Sequence, residues 1–86
     1  MRGDKVTMTS IAFVMLNVKA GKVKEILEDI KNIPEVVEAY AITGAKDIIL
    51  RIESEEDLES LAKIVVMKIH EINGVLNSET YFVINL

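Results

Sequence analysis

The chain has 86 residues, room for one small domain; half are hydrophobic, 28% are charged and the formal net charge is −4. Excess acid with scattered basic residues repels phosphate backbones and argues against direct nucleic-acid binding. The chain has no cysteine, which excludes disulfides and thiolate metal sites. With no export signal and no bilayer-length apolar run, a cytoplasmic protein without a membrane partner is expected.

Met1 to Thr9 is polar and aperiodic, a flexible N-terminal leader by composition, and the folded domain is expected over residues 10–86. Arg2-Gly3-Asp4 matches an adhesion tripeptide, but so short a match carries no weight without evidence of secretion. Ser10 to Val18, SIAFVMLNV, is apolar at nearly every position, as a strand buried on both faces would be. Helices in so small a domain cover one face of a sheet. The other face then calls for a second copy, which predicts a homodimer.

A helix is expected from Gly21 to about Asn32, with Val23, Ile26, Leu27, Ile30 and Ile33 on one stripe. Pro34 stops it by removing a donor and excluding Ile33 from the helical region. Val36 to Thr43 and Ile48 to Ile52 read as the arms of a β-hairpin turning through Thr43-Gly44-Ala45-Lys46-Asp47. Backbone amides around Gly44 can face a carboxylate with no Cβ in the way, and Asp47 can meet an ammonium group. The plainer reading is a hairpin turn in which Asp47 caps its own backbone.

Ser54 and Asp57 match an S-x-x-[DE] capping box, so a second helix is expected with Leu58, Leu61, Ala62, Val65, Ile69 and Ile72 as its core stripe. At about 100° per residue, Ile64 and Met67 fall outside that stripe and should be exposed. Gly74 ends this helix. Val75 to Leu86 is the last strand, with Leu76, Ser78, Thr80, Phe82, Ile84 and Leu86 on one face.

Strand, helix, strand, strand, helix, strand is the α+β, ferredoxin-like βαββαβ order. It implies a four-stranded antiparallel sheet with two helices on one face and the first and third strands central. Catalytic chemistry is poorly supplied. His70 is the sole histidine and sits near a helix C-terminus, where a surface cation is favoured; the glycines are isolated and form no phosphate loop.

Several spaced motifs together carry a family likeness: Ile33-Pro34-Glu35-Val36 leading to Ala39-Tyr40, Ile42 to Leu50, Asn73-Gly74-Val75, and Ser78 with Thr80-Tyr81 and Val83. Over Ile11 to Leu86 the chain resembles the effector-binding (RAM) domain of the Lrp/AsnC regulators. The family's N-terminal helix-turn-helix is not seen, so the likeness is to a stand-alone form. The resemblance implies a non-enzymatic, cofactor-free domain that binds an amino-acid effector between subunits. The implied site residues are Thr43, Gly44 and Asp47 in the turn, Ser78 and Thr80 on the last strand, and more weakly Tyr40 and Ala41. It also implies a homodimer assembling to an octameric ring, with influence on transcription or amino-acid metabolism exerted through itself or through full-length Lrp/AsnC-type regulators. An ACT-type amino-acid-binding domain and a small dimeric ferredoxin-like enzyme share the element order. The turn and last-strand motifs fit the first less well, and the second lacks an acid, a base and a cofactor ligand.

Overall fold

The computed structural model describes residues 9–86; the leader through Met8 lies outside the described residues. Strand β1 (Ser10–Val18) alternates buried and half-buried residues along its length. Ala12, Val14, Leu16 and Val18 lie under the helices, while Ile11, Phe13, Met15 and Asn17 line the opposite, open face. The run is therefore two-sided in composition, and one chain covers only one of its sides.

Helix α1 (Val23–Lys31) buries Ile26 and Ile30, with Val23, Leu27 and Ile33 packed at the margin of the core, as the 3.6-residue stripe requires. Strands β2 (Val36–Ala41) and β3 (Ile48–Ser54) form the hairpin. Ile48, Leu50 and Ile52 are buried against the helices, whereas Ile49, Arg51 and Glu53 face outward. Helix α2 (Leu58–Ile64) runs on into a π-helical turn, Val65–Ile69, and β4 (Val75–Phe82) closes the fold. The sheet is antiparallel in the order β2-β3-β1-β4, so the two most buried strands, β1 and β3, are central. This is the ferredoxin-like α+β architecture.

Four expectations are corrected. The first arm of the hairpin ends at Ala41, not Thr43, leaving a loop from Ile42 to Asp47. Ser54 does not cap α2: it is the last residue of β3 and its Oγ accepts from Glu56 N at 3.0 Å. The N-cap is Asp57, which accepts from Ser60 N at 2.9 Å, and that bond holds its carboxyl below the usual carboxylate range.

The core stripe of α2 keeps Leu61, Val65 and Ile69 as expected but differs at two positions. Leu58 is 44% exposed, while Ile64 packs on the core. For Ile64 the cause is the π turn that follows it, marked by His70 N donating to Val65 O. Its i→i+5 spacing brings residues five apart toward one side, so Ile64 joins Ile69 instead of pointing away. Met67 is exposed as expected. Last, β4 stops at Phe82, and a register shift where Asn17 gives way to Val18 leaves Leu76 unpaired and exposed. Leu76 therefore leaves the row of Ser78 and Thr80, and Ile84 and Leu86 lie beyond the strand.

Candidate functional site

The loop between β2 and β3 is held at both ends. Ile42 N donates to Asp47 O at 2.9 Å, and Asp47 N donates to Leu16 O at 2.8 Å, which sets the loop across the end of β1. Gly44 lies between these anchors with φ +117°, a backbone that L side chains rarely adopt. A Cβ there would meet nothing within 4 Å, so glycine serves conformation and not space. Thr43 and Gly44 are exposed.

Asp47 does not cap its own turn. Its Oδ2 accepts from Val18 N at 2.9 Å and from Asn17 Nδ2 at 3.4 Å, terminating β1 where the ladder with β3 ends. Four further side chains, Lys46, Asn77, Glu79 and Tyr81, form a cluster with Asn17 on the open face. Lys46 Nζ donates to Asn17 Oδ1 at 3.2 Å and to Asn77 Oδ1 at 3.4 Å, and pairs with Glu79 Oε2 at 3.4 Å. The lysine side chain is only 18% exposed. The Tyr81 hydroxyl donates to Glu79 Oε1 at 2.6 Å; this bond, with Lys46 behind it, holds the Glu79 carboxyl below its ordinary value, and Glu79 in turn pushes the Tyr81 phenol up. Asn17, Lys46, Asn77 and Glu79 were not singled out from the sequence. The available signal was the interruption of an apolar strand by Asn17 and a polar parity along β4.

The remaining candidates are distributed over the sheet. Ala41, Ile48, Leu16 and Ser78 form one row across it on the helix side, and Tyr40, Ile49, Met15 and Glu79 form the adjacent row on the open face. Tyr40 is thus exposed on the open face of one edge strand, while Ser78 and Thr80 point to the helix side of the other. Three strand spacings of about 4.8 Å separate those edges by roughly 14 Å. One small molecule cannot touch both within a single chain. Ser78 Oγ lies 2.6 Å from Nε2 of His70, so its hydroxyl already has a partner at the end of the π turn. A concavity of about 70 Å³ between Phe13, Tyr40, Ile49 and Arg51 has room for one or two waters and not for an amino acid.

Among the described residues, no group of three or more His, Cys, Asp or Glu could hold a metal ion, and no helix is long and apolar enough to cross a membrane. What the geometry offers is an anchored, exposed loop with open amides, flanked by a carboxylate and an ammonium group.

Residues 11–86 match the family model of the Lrp/AsnC ligand-binding domain. The chain belongs to this family. Its domain is a regulatory ligand-binding module and not an enzyme. A curated relative, the uncharacterized HTH-type transcriptional regulator PH0140 of Pyrococcus horikoshii, is 31% identical over 70 residues, which is 81% of this chain and 44% of the regulator. The chain thus spans less than half the length of that relative. The crystal structure of FFRP-DM1 superposes with a TM-score of 0.81 at 31% identity, covering 90% of this chain and 100% of that one. The transcriptional regulator NMB0573 of Neisseria meningitidis, solved as a complex with L-Met, shares the fold at 24% identity and a TM-score of 0.76, covering 88% of this chain and 50% of that one.

Proposed function

We propose that this domain senses an amino acid and transmits its presence by assembly, as an effector-binding subunit acting in transcription or amino-acid metabolism. The observation that carries the reading is the loop from Ile42 to Asp47, anchored at both ends with its middle exposed, in a chain that matches the family's ligand-binding domain over residues 11–86. Amides near Thr43 and Gly44 receive the effector carboxylate, and Asp47 offers its carboxylate to the ammonium. Tyr40 and Ala41 on one edge, and Ser78 and Thr80 on the other, contribute from different chains, which reconciles their separation within one sheet. The name of the Neisseria relative, a complex with L-Met, supports an amino acid as the ligand class. The subunit works as a homodimer formed through the open sheet face, growing to an octameric ring, alone or together with full-length Lrp/AsnC-type regulators.

A thermal-shift screen of the twenty amino acids, at fixed protein concentration, tests the sensing reading. A ligand at a hundred times its Kd adds about 2.7 kcal/mol to stability. For a domain of this size that raises Tm by roughly 10–20 °C. One amino acid, or a few of related shape, should produce the shift. A flat profile for all twenty would overturn amino-acid sensing.

A further inference from the structure

Asn17 is the one polar residue of the open β1 face, where its neighbours in the row are Ile11, Phe13 and Met15. A primary amide there needs partners, because a half-buried polar group left unpaired is costly. It finds all of them in the loop. Nδ2 donates to Ala45 O at 2.8 Å and to Asp47 Oδ2 at 3.4 Å, while Oδ1 accepts from Lys46 Nζ at 3.2 Å. The orientation of the amide is settled by chemistry. Rotated by half a turn, its oxygen would face a carbonyl and a carboxylate, and its NH₂ would face an ammonium group.

We propose that Asn17 is the positioning residue of the effector loop, a latch that fixes the loop middle over the end of β1 so that its amides are held in one geometry for an effector carboxylate. The inference rests on the reading of this loop as the effector-binding element. Among the described residues, backbone hydrogen bonds tie the loop down at Ile42 and Asp47. The bond from Asn17 to Ala45 O ties down the backbone of the loop's middle. Lys46, held by the same side chain, continues to Asn77 and Glu79 on β4, on either side of Ser78. Asn17 therefore also sets the loop relative to the strand that carries Ser78 and Thr80. Asn17 need not touch the effector.

The test uses the whole chain and the variants Asn17→Ala and Asn17→Leu, the second restoring bulk without hydrogen bonds. Amide hydrogen exchange followed by NMR should quicken about tenfold or more at Val18, Ile42 and Asp47, whose bonds close the loop, while Val14 and Leu50 in the core keep their native rates. Leucine should behave as alanine does. Calorimetry with each of the twenty amino acids forms the second arm: any that binds the native chain should bind both variants about tenfold or more weakly. If none binds the native chain, the sensing proposal fails while the exchange arm still decides the latch. Unchanged exchange at the three amides, equal acceleration in the core, recovery with leucine, or full affinity in the variants would each overturn it.

Discussion

Gly74, between the π turn and β4, offers a quantitative test of the packing. It has φ +106°, and a Cβ built there falls 2.9 Å from Cδ1 of Ile26, a residue only 1% exposed. In Gly74→Ala two costs combine. Holding alanine in that backbone costs about 1–3 kcal/mol. Moving a packed core methyl costs about 1–3 kcal/mol more. The sum, about 2–6 kcal/mol, is a large part of the roughly 4–13 kcal/mol that 0.05–0.15 kcal/mol per residue gives a domain of this length. Ile26→Val removes the offending Cδ1 and alone should cost about 0.5–1.5 kcal/mol. In the double variant the clash is gone and only the backbone strain remains, so the two changes should be less than additive by about 1 kcal/mol or more. Denaturant unfolding of the four proteins, at one protein concentration, measures the cycle. A Gly74→Ala protein within about 0.5 kcal/mol of native, or strict additivity in the double variant, would refute the argument.

Three further predictions address the site, the surface and the assembly. Asp47→Asn retains an acceptor for Val18 N but loses the charge, so it should keep the native Tm while weakening effector binding about ten- to hundredfold; Asp47→Ala should lower both, and native affinity in the asparagine variant would remove the ammonium role. Lys68 Nζ reaches both oxygens of Glu35, at 3.0 and 3.1 Å, and this bond holds the Glu35 carboxyl below its ordinary value of 4.5. Because the folded value is depressed, the stabilisation is complete above pH 4.5 and is lost as pH falls through the lower folded value. The pair is part-exposed, so Glu35→Gln should cost only a few tenths of a kcal/mol at neutral pH, and the difference from native should close in acid and shrink in high salt. Met15→Glu places a carboxylate on the open face opposite Glu79 and should abolish the proposed dimer in light scattering at micromolar concentration; a native chain that is itself a stable monomer would refute the two-sided reading of β1.

Most of the fold was legible because its signals are local. The apolar run of β1, the stripe of α1 stopped at Pro34, and the β-branched arms around Gly44 each report a backbone preference or a burial pattern written within ten residues. Where the reading failed, a contact from elsewhere in the chain or a change of helical period decided the outcome. Ser54 and Asp57 both carry capping chemistry, and which one caps depends on where β3 releases the chain; Ser54 stays in the ladder opposite Ser10. At about 100° per residue Ile64 faces solvent, and the π turn breaks that period. Leu76 was displaced by a bulge that no periodicity announces.

At the candidate site the sequence leaves the role of Asp47 open. From sequence, an aspartate after a glycine turn has two uses, as a cap or as a ligand group, and both draw on the same carboxylate. The structure shows neither use as such: one oxygen is occupied by Val18 N at the end of β1, 29 residues away in sequence, a partner that no local pattern could supply. That occupation does not abolish the second use, since a carboxylate accepts through two oxygens and about four lone-pair directions. It changes what the residue must do. A carboxylate pinned by a strand-end amide cannot swing to meet a ligand, so if it receives an ammonium it does so from a fixed position, with little ordering entropy left to lose on binding. Precision at the loop then depends on whatever else holds the carboxylate and the turn together. On this chain those groups are Asn17 and Lys46, two residues whose importance is invisible until the hairpin is laid across β1.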